Sequence, residues 1–212
     1  MTDTYEVPLR CSCGAIEGVA TGVSPQTGTH LVCYCDDCQT FQHAIGQAEH
    51  VLDAHGGTEI FQMSAGLLRI TRGADQLRCL RLGPKGPVRW YAGCCNTPIG
   101  NTMDRPALPF VGVIGAFFDR SDSDRIDRAL GPLQKGVFRD HALGDTSELN
   151  AYDRFPLSSV GGFLVKVLRW RFRGDHKRTP FFDPESGALA VEPHVLSKEE
   201  RAAAHAKIPV AD

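Results

Sequence analysis

The chain has 212 residues, a formal net charge of −2 and a balance of 42% hydrophobic to 23% charged residues, the profile of a globular protein rather than a disordered one. A pI near 6.4 leaves no broad basic field for nucleic acid, and no apolar run approaches the roughly 20 residues that a membrane span needs. The length suits one large domain or one domain with a substantial extension, with a small molecule or a protein as the expected partner.

The opening MTDTYEVPLR has neither the basic start nor the apolar stretch of a secretory signal, which predicts a cytoplasmic protein in a reducing compartment. Cys11 and Cys13 follow, separated by one residue. Short segments rich in apolar or β-branched residues then read as strands over Ala15 to Thr21, Leu31 to Cys35, Thr58 to Gln62, Leu67 to Thr71, Leu77 to Leu82 and Val88 to Ala92. Turn formers separate them, at Gly56-Gly57, Gly73-Ala74-Asp75 and Gly83-Pro84-Lys85-Gly86. Between the second and third strands, Asp36 or Asp37 is expected to cap a short helix carrying Cys38, Phe41 and Ile45. Cys94 and Cys95 close this half, which predicts a compact β domain over residues 1–109.

Beyond residue 109 the pattern changes to a mixed α/β extension, residues 110–212. Phe110 to Phe118 is apolar enough for a buried strand, loosened by Gly112 and Gly115. Val160, Phe163, Leu164, Val167 and Leu168 mark one face of an amphipathic helix near 158–173 that Gly174 ends. Ser197 and Glu200 form a capping-box pattern before a helix near 197–207. The cations of Arg169-Trp170-Arg171-Phe172-Arg173 fit a solvated helix end. Phe181-Phe182-Asp183-Pro184 reads as a turn anchored by two aromatics. The extension could narrow a cleft, bind a partner or build a homodimer interface.

Seven of the eight cysteines thus fall into three clusters: Cys11 and Cys13; Cys33, Cys35 and Cys38; Cys94 and Cys95. In a reducing compartment such clusters are metal ligands more often than disulfides, and zinc is the expected ion. The run Cys33-Tyr34-Cys35-Asp36-Asp37-Cys38 supplies three thiolates, leaving one tetrahedral position for water or a substrate sulfur, unless Cys79, His30 or His43 closes it. Cys11 and Cys13 need ligands from afar, and the Cys94-Cys95 pair is the donor, giving a structural site. Adjacent side chains on an extended segment point to opposite faces, which makes Cys95 the safer ligand of the two. Cys79, on an alternating strand, reads as a small buried hydrophobe.

These motifs, Cys11-Ser12-Cys13-Gly14, Cys33-Tyr34-Cys35-Asp36-Asp37-Cys38, and Arg89-Trp90-Tyr91-Ala92-Gly93-Cys94-Cys95-Asn96-Thr97-Pro98, taken in order, resemble those of the glutathione-dependent formaldehyde-activating enzyme and centromere protein V family over about residues 7–102. The resemblance implies a mainly β, Mss4-like fold of stacked antiparallel sheets (a β-tent), a closed four-cysteine zinc site containing Cys11, Cys13 and Cys95, and an open zinc site on Cys33, Cys35 and Cys38 beside a glutathione-binding cleft. Tyr34 replaces a usual histidine and Asn96 a usual glycine. Ala92 stands where the family has the first cysteine of its last pair, so the closed site lacks a ligand unless Cys94 substitutes on a shifted backbone. The implied activity is that of a carbon-sulfur lyase acting on, or carrying, glutathione adducts of small aldehydes, with Cys33, Cys35 and Cys38 at the reacting centre. The alternative is a non-enzymatic, zinc-stabilised module that binds a protein.

Overall fold

The computed structural model describes residues 3–209, with the side chains of Ser158 and Ser159 outside that description. The chain is mainly β, in two sheets. The smaller sheet has the order β1-β2-β5, from β1 (Tyr5–Arg10), β2 (Glu17–Val23) and β5 (Leu68–Arg72), all antiparallel. The larger follows the order β11-β10-β3-β4-β9-β8-β7-β6-β12. Its centre is antiparallel: β3 (Thr29–Cys33), β4 (Thr58–Ser64), β9 (Phe110–Ile114), β8 (Pro98–Thr102), β7 (Val88–Ala92) and β6 (Leu77–Arg81). Two-residue strands β10 (Gly136–Val137), β11 (Ala151–Tyr152) and β12 (His194–Val195) add parallel edges.

Alternation along each strand decides which face is buried. Val7 and Leu9 of β1, Ala20 of β2 and Leu68 of β5 meet Phe61 and Met63 of β4, Trp90 of β7, Ile99 of β8 and Val113 of β9 in one core between the sheets. Trp90 anchors it: its ring lies 4.8 Å from that of Phe181, and Nε1 donates to Thr102 Oγ1 at 2.9 Å. The aromatic pair Phe181 and Phe182 therefore seals the core from the C-terminal side. The opposite, outer face of the large sheet carries Leu31, Cys33, Ile60 and Arg89, and here helix α1 (Asp36–Ala44) packs.

Expected and observed elements differ in instructive places. Strand β2 starts at Glu17 rather than Ala15, because Cys11 and Ile16 are tied across a turn by Cys11 N to Ile16 O at 3.1 Å. Strand β3 ends at Cys33, not Cys35, since Cys35 is the N-cap of α1. Asp36 and Asp37 do not cap this helix; they occupy its first turn, facing the positive end of the helix dipole. Phe110 begins β9 as expected, but the strand stops at Ile114 and continues as a 3-10 turn over Gly115–Phe117. Strands β1 and β8, a one-turn helix α2 (Ala48–Val51) and helix α3 (Ser123–Leu130) were not foreseen. Helix α3 does carry legible signals: the Asp122 carboxylate accepts from Arg125 N at 3.1 Å, and Gly131 follows its last residue with φ 73°.

Helix α4 (Ser158–Phe172) ends at Gly174, which adopts φ 77°. Its buried face is rotated from the expected stripe. Val167 and Trp170 are buried and Phe163 packs edge-on against Phe110 at 5.3 Å, whereas Leu164 and Leu168 are 52% and 55% exposed. Burial of the large Trp170 ring, together with Lys166 bonding to the start of β3, sets this rotation. Helix α5 (Lys198–His205) has its reciprocal capping box, with Glu200 N donating to Ser197 Oγ at 3.1 Å and Ser197 N donating to Glu200 Oε2 at 2.7 Å. It lies against α1, where Arg201 donates to Asp37 at 3.1 Å. No helix among the described residues is long and apolar enough to cross a membrane.

Candidate metal centre

Two tight turns build the first cluster. After β1, the chain reverses through Cys11-Ser12-Cys13-Gly14, with Gly14 N donating to Cys11 O at 2.8 Å and Gly14 at φ 74°. After β7, Ala92 N donates to Thr97 O at 2.9 Å and Asn96 N to Ala92 O at 2.7 Å, while Asn96 itself is left-handed at φ 58°. Asparagine tolerates that conformation better than most residues, so it fills the glycine role in the turn. The two turns are tied together by Ser12 N donating to Thr97 Oγ1 and by Thr97 Oγ1 donating to Ser12 Oγ, both at 3.0 Å.

This geometry brings Cys11, Cys13, Cys94 and Cys95 together, with all four sulfurs within 4.8 Å of one another. The preference for Cys95 over Cys94 assumes an extended segment. Residues 93–95 are a turn instead, and it brings the sulfurs of both Cys94 and Cys95 into the cluster, where either can serve as a ligand. The sulfurs stand 3.6 Å apart for Cys11–Cys13, 3.8 Å for Cys11–Cys94, 3.3 Å for Cys13–Cys94 and 3.8 Å for Cys94–Cys95. A tetrahedron with zinc–sulfur bonds of about 2.3 Å has sulfurs about 3.8 Å apart. The donor set therefore fits a tetrahedral thiolate site. Burial pushes the Cys94 thiol up, and shared protons from Cys13, Cys95 and Cys11 add to this. At Cys95 burial also acts upward, but hydrogen bonds from Ser12, Thr97 and the backbone outweigh it and hold the thiol down at about 5.

The second cluster lies on the outer face of the large sheet, where β3 runs into α1. Cys33 closes the strand, Cys35 is the N-cap and Cys38 sits in the first turn, so the strand-to-helix bend converges the three sulfurs. Cys33 and Cys35 are 3.4 Å apart, and Cys33 and Cys38 are 3.7 Å apart, again tetrahedral edges. Shared protons with Cys35 and Cys38, with burial, push the Cys33 thiol well up. Hydrogen bonds from Cys33 and Cys35 hold Cys38 well below the ordinary thiol value in spite of burial, and the Arg89 guanidinium adds to them. Cys35 is pushed up to about 12; its bond with Cys33 acts downward, but sharing with Cys38 and burial outweigh it.

Arg89 was foreseen only as part of a motif. An arginine inside the apolar run Val88–Ala92 is the signal for it, because burying such a charge is costly unless it is paired. It is 3% exposed, lies over the Phe41 ring at 5.5 Å, and reaches Cys38 Sγ at 3.9 Å, Asn101 Oδ1 at 3.4 Å and Asp37 at 3.8 Å. Phe138, left-handed at φ 65°, packs beside Cys35 on the same cluster. The buried hydroxyl of Thr58, which pairs with Cys33 across the β3–β4 ladder, has no hydrogen-bond partner among the described residues.

The other candidate ligands lie elsewhere. Cys79 is buried in the core, its thiol 3.3 Å from Val191 O. His30 points to the far side of β3, with Nδ1 2.7 Å from Gly131 O and Nε2 2.9 Å from Glu59. His43, at the last turn of α1, belongs to neither thiol cluster.

Fold and site together define a mainly β protein with one four-cysteine and one three-cysteine cluster, each able to hold a metal ion. The chain belongs to a family of unknown function, DUF6151, whose model matches residues 4–189. No curated protein matches it. Among solved structures it is similar to a Rhodobacter sphaeroides protein determined by a structural-genomics consortium. The two are 18% identical with a TM-score of 0.40, over 61% of this chain and 97% of that one.

Proposed function

We propose that this chain is a zinc protein in which Cys11, Cys13, Cys94 and Cys95 hold a structural ion, and Cys33, Cys35 and Cys38 hold a second ion with one position left for a thiol. On this reading it acts on, or carries, adducts of glutathione or a similar thiol with small aldehydes. The observation that carries the proposal is the pairing of a four-sulfur set with a three-sulfur set, both at tetrahedral spacing. The motif resemblance to the glutathione-dependent formaldehyde-activating enzymes points the same way, and a reducing compartment would keep all seven thiols available.

Bound zinc would supply Lewis acidity, favouring the thiolate form of a sulfur ligand. The chain's own groups set the surroundings of that sulfur. Arg89 offsets the negative charge of three thiolates from 3.9 Å, and Asp37 and Asn101 hold the guanidinium in place. Val137 and Phe138 bring apolar surface against the cluster and limit water there. A thiolate adding to an aldehyde forms the carbon–sulfur bond, sends the carbonyl π pair to oxygen, and takes one proton from solvent. Reversal cleaves the same bond, which is carbon-sulfur lyase chemistry.

The competing reading, a zinc-stabilised module that binds a protein, draws on the outer face of α4, where Leu164, Leu168 and Phe172 are exposed. A scattering map at the zinc edge, with calorimetry against glutathione, separates the two. The proposal expects two ions per chain, a non-protein fourth ligand at the three-cysteine site, and glutathione binding that disappears in Cys35→Ser while the far-ultraviolet dichroism is kept. Absence of metal at Cys33, Cys35 and Cys38, or four protein ligands there, removes the lyase reading.

A further inference from the structure

A cavity of about 280 Å³ lies under α4 on the outer face of the large sheet, near the lower end of the about 300–1,000 Å³ typical of small-molecule sites. Its polar lining includes Lys135, Lys166, Gln62 and Gln134, with Tyr152 and Phe163 among its aromatic walls and no carboxylate among the described residues that line it. Lys166 Nζ bonds to Gly28 O at 2.9 Å and Thr29 Oγ1 at 3.1 Å. Both partners are neutral oxygens, and an ammonium has three protons to give, so one remains for a ligand. Lys135 stands over the Tyr152 ring at 4.9 Å, and among the described residues neither lysine is paired with a carboxylate. One half-buried cation and one exposed cation at the edge of the same concave site, with no counter-charge among the described lining residues, favour an anion.

The cavity and the three-cysteine cluster are neighbours along one strand face. Thr29, Leu31 and Cys33 alternate on the same side of β3, opposite Gln62, Ile60 and Thr58 of β4. Leu31 and Val137 line the cavity and also pack on Cys33 and Cys38. From Leu31 to Cys33 is two residues of strand, about 7 Å, and from Thr29, where Lys166 is tied, it is four, about 13 Å; three extended peptide units reach about 10 Å, and a charge-assisted N–H to oxygen contact of about 2.8 Å covers the remainder.

We infer that this cavity is an anion subsite which takes a carboxylate of a small peptide thiol whose sulfur reaches the three-cysteine site. The inference rests on the thiol reading given above for the choice of ligand, but the anion subsite stands on Lys135 and Lys166. Burial holds the Lys166 ammonium below the ordinary lysine range, as expected of a cation that lacks a charge partner.

The test is calorimetry on the zinc-loaded full chain with three probes: glutathione, S-methylglutathione, which has carboxylates and no free thiol, and cysteamine, which has a thiol and no carboxylate. Lys166→Met and, in case that variant folds poorly, Lys135→Met are compared with the wild type at matched zinc content. The expected result is that S-methylglutathione binds the wild type and weakens about tenfold or more in each variant, the loss of one charge-assisted contact, while cysteamine binding is unchanged. S-methylglutathione binding that is equal in wild type and both variants overturns the subsite. Lysine-dependent binding of S-methylglutathione, with glutathione no tighter and Cys35→Ser without effect, keeps the subsite and removes the thiol reading.

Discussion

Replacing Cys94 by alanine tests the four-cysteine site at its least expected member. Structural zinc in small peptides contributes about 10–16 kcal/mol at neutral pH; shared evenly over four thiolates, loss of one costs about 3–4 kcal/mol. That is a large part of the about 5–15 kcal/mol by which a domain of this kind is stable. For a chain of this length about 2–4 °C are lost per kcal/mol, so the melting temperature of the zinc-loaded protein should fall by about 6–16 °C. The double variant Cys94→Ala/Cys95→Ala goes further, because it opens a clip between positions 83 residues apart. The closure entropy of such a loop is about 4 kcal/mol by 1.5RT ln n, and one equivalent of zinc should be lost outright. Cys79→Ala is the control: a buried thiol outside both clusters should cost about 1 kcal/mol with two ions retained. Thermal melts followed by circular dichroism, with metal content by atomic emission, give the readout. If Cys94→Ala melts within a degree or two of wild type and keeps both ions, Cys94 is no ligand.

Arg89→Met should leave the four-cysteine ion in place and weaken metal retention at the three-cysteine site by about 10–100-fold, since the cation beside Cys38 and its hold on the ligand geometry are gone; competition with a colorimetric chelator measures it, and equal retention would contradict the role assigned to Arg89. Trp90→Ala should cost about 3–5 kcal/mol in urea unfolding, because a fully buried indole packed against Phe181 at a tilt leaves a cavity in the core between the sheets; a cost below about 1 kcal/mol would mean that the sheets do not pack through it. Glu59 is pushed upward by burial, but bonds from His30 and the charge of Arg120 outweigh this and hold it below its ordinary 4.5. Its stabilisation is therefore present above about pH 4.5 and is lost as pH falls through the lower folded value. Glu59→Gln should accordingly be less stable than wild type at pH 7, with the two converging in acid; a constant gap from pH 7 to pH 3 would refute this.

Legibility in the sequence followed the range over which each physical signal acts. Strand β7 is found at its expected bounds because Val88–Ala92 is short, apolar and set off by a Gly-Pro turn. The convergence of Cys33, Cys35 and Cys38 is local as well, decided by one strand-to-helix bend. Where a sulfur had to compete with a local rule, the reading slipped. Asp36 and Asp37 have cap chemistry, but Asp36 bonds His141 at 2.9 Å and Asp37 bonds Arg201 at 3.1 Å, leaving Cys35 at the N-cap. The face of α4 was misplaced for a related reason: the apolar period of residues 160–168 takes no account of a lysine tied to Gly28, 138 residues away. The meeting of the Cys11 and Cys94 turns is a tertiary event that no window of sequence contains.

The two thiol clusters differ in what surrounds them, and this separates their roles more firmly than ligand count does. The four-cysteine site joins two hairpin turns through the Ser12–Thr97 bonds, and no residue of the extension contributes a sulfur or a bond to that junction among the described contacts. A metal there would have a mechanical task, holding β1 against the β7–β8 turn. The three-cysteine site instead receives Val137 and Phe138 from beyond residue 130, is steadied through Asp36 by His141 and through Asp37 by Arg201, and adjoins the cavity roofed by α4. So much of the extension converges on three sulfurs that already have their local scaffold that stabilising them is an insufficient reason for it. Binding something beside them is a sufficient one. The strained φ of Phe138, which costs of order 1–3 kcal/mol in a non-glycine residue, is accounted for on the same terms, because it sets an aromatic ring against the cluster at the side where Cys35 is still half-exposed. Phe138→Gly should then relieve the backbone while weakening glutathione binding, whereas a purely structural Phe138 would show the stability change alone in paired melts and calorimetry.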